Sequence, residues 1–412
     1  MIIPNKTNEE VYVSHAAAND LPLSGIRVIE FSHMVMGPAG GLVLADLGAE
    51  VIRVEPLSGD KTRTLKGSGA GYFAMYNRNK KSIRLNLKSE DGIRIARDLV
   101  NDADVLIENF RPGAMNRLGL DYETLSGANE RLIYCSTHGF LKGPYEHRTA
   151  LDEVAQMMGG LSYMTGPPGR PLRAGASVID VMGGVWGAVG VLAALEERHR
   201  TGKGQQIKSS LYESTVFLVG QHIAQYAVTG APAAPMPARV SAWAIYDVFE
   251  TSDDEKVFVG VVSDPQWLTF CEDFGFDDLL AEEHLRANNN RVAERERIIP
   301  IVRERFAAMT KQELMDRLES SGLPFAPIER PQDLLDDPHL NESGGLLDLT
   351  LPDGKDVRLP ALPFAMEGER FGARLNPPRS GEHTVGVLKE LGYDDGAIAA
   401  MVEAGAVAGE TD

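Results

Sequence analysis

GIRVIEFSHMVMGPAGGLVLADLGAEVIRVE, residues 25–55, is the stretch that decides the fold. GIRVIEF (25–31) and EVIRVE (50–55) are apolar runs, as expected for strands that are buried on both faces. Between them, SHMVMGPAGG (32–41) is predicted to be a glycine-rich turn and LVLADLGA (42–49) a helix that ends near a glycine. A strand, a helix and a second strand in this order predict a βαβ unit with parallel strands.

The same alternation continues along the chain. Strand patterns recur at SIRLNL (82–87), DVLIENF (104–110), RLIYCSTHGF (131–140) and GQQIKSSL (204–211), with a helical pattern at residues 89–102. Strands that alternate with helices are typical of a doubly wound parallel sheet. The sequence therefore predicts the α/β class.

A second, smaller α+β domain is predicted after APAAPMPA, residues 231–238, which is the best linker candidate. Two strand-like runs, WAIYDVFET and KVFVGVV, are followed there by three helical patterns. We expect four parts: an N-terminal arm (1–20), the first part of the large domain (21–228), the small domain with its linker (229–335), and a return segment with C-terminal helices (336–412).

The composition limits the partners. With 41 Lys+Arg against 59 Asp+Glu the net charge is −18, which argues against nucleic acid as the main partner but leaves room for a small anion in a local basic pocket. Two cysteines imply no disulfide framework and no metal site, so the cytoplasm is the default location. The uncharged run 181–195 would span roughly 22 Å as a helix, short of a bilayer core of about 30 Å. We therefore expect a buried helix and no membrane partner.

The segment TALDEVAQMMGGLSYMTG, residues 149–166, carries the strongest chemical signal. Its only charges are Asp152 and Glu153, in an apolar and glycine-rich surrounding. A poorly hydrated carboxylate of this kind suits a nucleophile. Alternatively, Thr149 or Asp152 is an N-cap that accepts backbone N–H bonds at the start of a helix through 153–158. The spacing alone leaves both interpretations open.

Ligand positions at strand ends are weaker signals. His33 and His138 each follow a predicted strand, where open α/β sheets bind ligands. GPAGG, residues 37–41, imitates a dinucleotide fingerprint, but its glycine spacing is wrong and Pro38 lacks the N–H that a pyrophosphate needs. An NAD-binding oxidoreductase therefore remains only a third alternative.

Seven segments, in this order, carry a resemblance to a known family: LSGIRVIEFSHMVMGP, LADLGAEVIRVEP, YNRNKKSIRLNLKSEDG, IENFRPGAMNRLGLDYETL, TALDEVAQMMGGLSYMTG, AALEERHRTGKGQQIKSSLYE and GLPFAPIERPQDLLDDPHL. With the helical tail they cover about Leu21 to Val407. The sequence resembles the class III CoA-transferases, which include formyl-CoA, carnitine and dicarboxylate CoA-transferases together with α-methylacyl-CoA racemases.

The resemblance implies a mechanism on Asp152, which occupies the position of the catalytic aspartate. Its carboxylate would attack the donor thioester, form a mixed anhydride and then an aspartyl-CoA thioester, which the acceptor carboxylate attacks. No metal and no permanently bound cofactor is expected, since the coenzyme A thioester is a substrate. Each step needs oxyanion stabilisation, for which the backbone N–H groups of Gly159 and Gly160 are candidates.

The resemblance also implies where CoA binds and how the chains assemble. Cations are needed for its phosphates on an otherwise acidic protein. The expected CoA-binding residues are His33, Arg53, Lys80, Asn109, Phe110, Arg111, Arg117, His138 and Gly139. The family fold is an interlocked homodimer, in which the C-terminal tail completes a Rossmann-like, CoA-binding large domain.

Departures from the family pattern bear on the substrate. Val35 stands where formyl-CoA transferases carry glutamine, which disfavours a small oxalate-like acid, and Pro56 replaces a common arginine. The region 235–246 lacks the glycines of many members, and we hypothesise that Arg239 in it binds a second substrate carboxylate. A C4–C5 dicarboxylate such as succinate, malate, mesaconate or itaconate is therefore the expected acceptor, with a succinyl-CoA-like donor.

The racemases of the family supply the main alternative. They use a histidine just before the matching aspartate together with a second acid further on. Here Leu151 precedes Asp152, although Asp180 falls near the second acid. Because leucine transfers no proton, transfer of CoA is preferred and an α-carbon racemase or isomerase is the alternative.

Overall fold

The computed structural model describes residues 21–239 and 241–410, so the expected N-terminal arm, residues 1–20, lies outside them. The chain forms two compact units. One contains the residues up to Pro237 and those from Asp337 onward, and the other is Ala238–Asp336. The proline–alanine segment thus belongs almost wholly to the first unit, whereas the prediction assigned it to the small domain.

The described residues contain twelve strands. They are β1 Arg27–Phe31, β2 Glu50–Glu55, β3 Lys80–Leu85, β4 Val105–Glu108, β5 Ile133–His138, β6 Gln206–Ser210, β7 Ile245–Glu250, β8 Lys256–Val261, β9 Phe325–Pro327, β10 Leu346–Thr350, β11 Asp356–Pro360 and β12 Val407–Ala408.

Eighteen α-helices accompany them in the same ranges. They are α1 Met36–Asp46, α2 Tyr72–Tyr76, α3 Glu90–Asn101, α4 Ala114–Leu118, α5 Tyr122–Ser126, α6 Asp152–Met158, α7 Leu161–Thr165, α8 Val178–Thr201, α9 Leu211–Leu218, α10 Gly220–Thr229, α11 Asp264–Phe274, α12 Asp277–Ala281, α13 Asn288–Ala293, α14 Arg295–Phe306, α15 Lys311–Ser320, α16 Pro338–Glu342, α17 Thr384–Glu390 and α18 Asp395–Glu403.

The large sheet of the first unit has the strand order β12-β3-β2-β1-β4-β5-β6. Strands β1 to β6 are parallel and β12 is antiparallel to β3. Both faces are covered, because Val28 belongs to one hydrophobic cluster with Leu44 of α1, while its neighbour Ile29 belongs to another with Leu99 of α3. This explains the continuous apolar strands and confirms the predicted α/β class with a parallel-dominated sheet.

The turn predicted for residues 32–41 extends only over 32–35, and the prediction is wrong for 36–41, which are helical. Helix α1 begins at Met36, so GPAGG lies inside it. Pro38 is tolerated because a first-turn residue has no intrahelical partner for its N–H. A Cβ on Gly40 would lie 2.8 Å from the carbonyl oxygen of Gly184 in α8, so this glycine permits close packing of two helices.

Helix α8 runs through 24 residues and packs against α1, β5 and β6. It is the one helix in the described part that is long and apolar enough, by length and composition, to cross a membrane. Its face toward the sheet is buried, as predicted, but Val185, Trp186 and Val189 on the opposite face are exposed. Its N-terminus, which begins after Ser177, takes part in the site described below.

The smaller unit is built from the antiparallel sheet β7-β8-β9 and helices α11 to α15. Its core is aromatic, with Trp267, Phe270, Phe274 and Phe306 all almost completely buried. These residues form a separate hydrophobic cluster, as expected for a unit with its own core.

Candidate active site

Asp152 is the first residue of α6 and only 6% of its surface is exposed. Its side chain does not cap α6. Instead it accepts backbone N–H bonds at the start of α8, so the N-cap interpretation is right about the type of contact and wrong about the helix. The positive end of a 24-residue helix dipole therefore faces this carboxylate.

Four donors in the described part of the chain hold the Asp152 carboxylate. Oδ2 accepts from the N–H groups of Ile179 (2.9 Å) and Asp180 (3.1 Å). Oδ1 accepts from Nε2 of Gln156 (2.6 Å) and Nη2 of Arg173 (3.2 Å). Four bonds correspond to the acceptor capacity of a carboxylate, so the side chain is fully hydrogen-bonded where water hardly reaches it.

Gln156 orients this carboxylate. The side chain is fully buried, lies one helical turn after Asp152, and its Oε1 accepts from the N–H of Ala174 at 2.8 Å. Because Oε1 has a backbone donor as partner, Nε2 must point at Asp152.

Arg173 connects the carboxylate with the exterior. It lies on the loop between α7 and α8, and 38% of its side chain is exposed. Nη2 also donates to the carbonyl of Ala176 at 3.2 Å, and Nη1 lies 3.9 Å from the exposed Glu153. Arg173 is thus the charged donor among the four.

Asp180 is a second carboxyl group beside Asp152. Burial, and then the charge of Asp152, raise its pKa to about 7, although the charge of Arg173 opposes this. Burial and the Asp180 charge likewise raise the pKa of Tyr76. The site therefore holds one group that titrates close to neutral pH.

A cavity of about 610 Å³ lies at the carboxyl ends of β1 to β4. The chain leaves β1 toward β2 on one side and reaches β4 on the other, so this is the switch point where open sheets bind ligands. Asn109 joins the two loops, because its Oδ1 accepts from the N–H of His33 (3.0 Å) and its Nδ2 donates to the His33 carbonyl (2.7 Å). The cavity lining includes His33, Phe110, Pro56, Lys61 and Lys88.

Known proteins resemble this chain over most of its length. Residues 23–384 match the family model described as CoA-transferase family III. The chain belongs to this family. It is an enzyme that transfers CoA, which confirms the resemblance found in the sequence and makes a CoA thioester its substrate.

Relatives of this CoA-transferase include a succinyl-CoA:glutarate CoA-transferase of Mus musculus, 32% identical over 394 residues, which are 94% of this chain and 90% of that protein. An acetyl-CoA:oxalate CoA-transferase of Acetobacter aceti is 36% identical over 314 residues, 74% of this chain and 80% of that protein. The crystal structure of a CaiB/BaiF family protein from Brucella suis has a TM-score of 0.80 at 32% identity and covers 90% of this chain and 99% of its own.

Two predicted CoA-binding residues of the CoA-transferase are structural instead. Arg53 and Lys80 are fully buried and both bond Glu30. Arg53 also bonds Asn77 (2.7 Å) and Asp60, and Lys80 bonds the Pro38 carbonyl (2.8 Å). Burial lowers the pKa of Lys80 to about 8. The prediction for these two is wrong, because the nearby acids already hold both cations away from solvent.

Two lysines that the resemblance does not name, Lys61 and Lys88, line the cavity. Lys88 belongs to the segment YNRNKKSIRLNLKSEDG, in which the resemblance points to Lys80 instead. Burial, and then the charge of Arg53, lower the pKa of His33.

The other predicted CoA residues are distributed over neighbouring places. Arg111 and His138 line a second cavity of about 510 Å³, where His138 Nε2 lies 3.0 Å from Glu108 Oε1. Arg117 lines a third cavity of about 740 Å³ together with Lys88. Gly139 packs against Ala150, with which any side chain would collide. Their role in CoA binding stays a prediction.

The predicted oxyanion donors differ in their geometry. The N–H of Gly159 bonds the Ala155 carbonyl at 2.8 Å, and a Cβ there would collide with Thr215 of α9. Gly159 is thus a packing residue, which contradicts its predicted role. Gly160 has a left-handed backbone (φ +87°) at the start of α7 and stays a candidate. Arg239 is exposed and belongs to the smaller unit, so its role also stays a prediction.

One cluster in the smaller unit has the composition of a metal site. Ligand atoms of Glu282, His284 and Glu294 lie within 4.8 Å of one another. Arg297 forms ion pairs with both glutamates. One guanidinium thus serves two carboxylates in a partly exposed ion-pair network.

Proposed function

We propose that this CoA-transferase moves CoA from a succinyl-CoA-like donor to a C4–C5 dicarboxylate through covalent intermediates on Asp152. The observation that carries the proposal is the Asp152 carboxylate itself, buried at the N-terminus of α8 and held by donors that are mostly neutral. Of the two donors to Oδ1, Arg173 is half-exposed, and its departure frees a lone pair of this oxygen for nucleophilic attack.

In the proposed reaction an Asp152 oxygen attacks the thioester carbonyl carbon of the donor. The C–S bond breaks, CoA leaves as the thiolate with the electron pair, and a mixed anhydride remains. The thiolate then attacks the aspartyl carbonyl carbon. The donor acid departs as a carboxylate with one aspartyl oxygen, and a neutral aspartyl-CoA thioester is left. The acceptor carboxylate repeats these steps in reverse, so no net proton is needed.

The start of α8 supports the oxyanion part of this reaction. Each attack on the aspartyl carbon places negative charge on the remaining oxygen. The N–H groups of Ile179 and Asp180 already lie 2.9 and 3.1 Å from Oδ2, where such an oxyanion would form. This pair replaces Gly159 in the predicted mechanism.

The acceptor class rests on the relatives and on two residues. The mouse relative is named for glutarate and the Acetobacter relative for oxalate, both dicarboxylates. Val35 disfavours the smaller acid, and Arg239 is the candidate partner for the second carboxylate. Steady-state CoA transfer from succinyl-CoA should give kcat/KM values for glutarate or mesaconate at least about tenfold above oxalate. A preference for oxalate would contradict this choice.

The site also contains an observation that favours an isomerase. Asp180, with a pKa of about 7, lies beside Asp152 and has the proton affinity of a general base. Against an isomerase, the position before Asp152 is Leu151, which is 65% exposed and has no ionisable group to transfer a proton. Incubation of an α-methylacyl-CoA in deuterated water distinguishes the two: deuterium at the α-carbon supports isomerisation, and its absence together with CoA transfer supports our proposal.

The same proposal includes a homodimer. Exposed apolar side chains lie on α8, α9 and α10, namely Val185, Trp186, Val189, Phe217, Ile223, Tyr226 and Val228. Exposed apolar surface of this kind marks interaction sites. Light scattering should give twice the chain mass of 44.8 kDa, and a monomer at micromolar concentration would contradict the dimer.

A further inference from the structure

The charge balance around Asp152 changes during the proposed reaction. In the resting enzyme one carboxylate faces one guanidinium, at 3.2 Å, and the other three donors are neutral amide groups. When Asp152 becomes a thioester it loses its charge. Gln156 and the two N–H groups need no counter-charge, but Arg173 loses its close anionic partner and keeps only the exposed Glu153, which lies 3.9 Å from Nη1.

The two oxygens of Asp152 also differ in their surroundings. Oδ2 is bonded by the N–H of Ile179, which is fully buried. Oδ1 is bonded by the buried Gln156 and by Arg173, and Arg173, which is 38% exposed on its loop, is the donor that can move away from this oxygen. The geometry therefore favours Oδ1 as the attacking oxygen, which leaves with the donor acid, and Oδ2 as the oxygen that stays.

Resting on the proposed aspartyl-thioester chemistry, we propose that Arg173 passes from Oδ1 of Asp152 to the reacting carboxylate of the acceptor. The donor acid, which carries the former Oδ1, is its first free anionic ligand. The acceptor carboxylate then exchanges for the donor acid at the same guanidinium. This places an acceptor oxygen next to the aspartyl carbon whose carbonyl is held by α8.

The proposal gives Arg173 a role in the order of binding. Before acylation, Arg173 is paired and the Asp152 charge repels a second carboxylate. After acylation, both obstacles are removed in one step. The acceptor should therefore bind well only to the acylated enzyme, while the donor thioester, whose reacting carbonyl is neutral, does not depend on Arg173.

The test compares three variants on the same loop. Arg173→Ala removes the guanidinium, Arg173→Lys keeps the charge without the fork, and Arg170→Ala is a matched control at an exposed arginine three residues earlier. Two quantities are measured: the yield of Asp152 hydroxamate after succinyl-CoA and hydroxylamine without acceptor, and the KM for glutarate in the complete reaction.

We expect Arg173→Ala still to form the Asp152 hydroxamate, because three donors still hold Asp152, and to raise the KM for glutarate about 10- to 100-fold. The KM for glutarate of Arg173→Lys should lie between those of the wild type and of Arg173→Ala. Guanidinium in the buffer should lower the raised KM of Arg173→Ala in part, and Arg170→Ala should match the wild type. The rescue and the lysine variant separate this role from a folding defect.

The outcomes that contradict the proposal are distinct. A wild-type KM for glutarate in Arg173→Ala would overturn it while leaving the proposed function intact. Loss of the hydroxamate in Arg173→Ala would also overturn it, because Arg173 would then act in the first half-reaction. Absence of the hydroxamate in the wild type itself would instead reject the proposed function on which it rests.

Discussion

The Asp152 carboxylate and the Arg53 guanidinium are both buried charges of the same unit, but they are compensated in different ways. Arg53 is surrounded by the acids Glu30 and Asp60, with Glu55 at 4.0 Å, and none of them reaches appreciable solvent. Asp152 is held by two backbone N–H groups, one amide and one half-exposed arginine.

This difference distinguishes a charge that stabilises the fold, at Arg53, from a charge that can react, at Asp152. In the Arg53 cluster, attraction between full charges offsets the cost of desolvation, and removal of any partner leaves an uncompensated ion. Around Asp152, fixed dipoles perform most of this task, so when acylation removes the charge of the carboxylate, only Arg173 loses a close ionic partner. A buried ion is thus a better candidate for chemistry when its partners are mostly neutral.

The largest effect should come from the nucleophile. Asp152→Asn keeps the size of the side chain but removes the nucleophilic charge, so kcat should fall at least about 10³-fold. The control is Glu153→Gln at the adjacent exposed carboxylate, which should stay within about threefold of the wild type. Comparable loss in both variants would show that the helix start, rather than the Asp152 charge, is what matters.

The next largest effect should be a loss of stability when the Arg53 cluster is broken. Arg53→Met should lower the free energy of unfolding by about 3–5 kcal/mol, because it strands buried carboxylates. Arg27→Met is the matched control, since Arg27–Glu50 is also a cross-strand pair of β1 and β2 but is partly exposed; its cost should be below about 1 kcal/mol.

Urea unfolding measures the loss of stability in both variants. The KM for succinyl-CoA then shows whether Arg53 also contributes to CoA binding. The folded Arg53→Met variant should keep this KM within about threefold, since the side chain does not reach the cavity. A large rise in KM at normal stability would restore Arg53 to the CoA site.

A smaller effect should appear in the pH dependence of stability. Because the pKa of Asp180 is raised to about 7 from an ordinary 3.8, the folded protein keeps a proton between these values that the unfolded chain releases. Stability therefore falls as pH rises through this window. Asp180→Asn should remove about 3–4 kcal/mol of this loss between pH 4 and pH 8, as measured by urea unfolding. Asp348→Asn, at a highly exposed residue, should leave the loss in place.

The smallest effect should come from the residue that orients Asp152. Gln156→Leu removes one donor to Oδ1 and leaves the Ala174 N–H unpaired, so kcat should fall about 10- to 30-fold. Gln312→Leu is the control, because Gln312–Asp316 has the same i, i+4 spacing on the exposed surface of α15. Equal kcat values for the two variants would contradict an orienting role.

The parts of the molecule that the sequence predicted well are local. The apolar runs at 25–31 and 50–55 indicate buried parallel strands by their own composition, and Asp152 stands out against its apolar flanks. The role of Gln156 was not predicted, although a residue four positions after an acid at a helix start lies on the same face of the helix.

What could not be predicted depends on distant partners. Helix α1 looked like a turn because its glycines serve packing against α8, which lies far along the chain. Arg53 looked like a phosphate ligand because its carboxylate partners are visible only in the folded sheet. The N-terminus of α8, which donates to Oδ2 of Asp152, follows Asp152 by more than 20 residues. This contact therefore forms only in the tertiary structure.

The most direct test of the central claim is peptide mass spectrometry after incubation of the wild-type enzyme with succinyl-CoA and then hydroxylamine. The account predicts an aspartyl hydroxamate on Asp152 and none on Glu153 or Asp180. An unmodified Asp152 in a protein that demonstrably binds succinyl-CoA would contradict it.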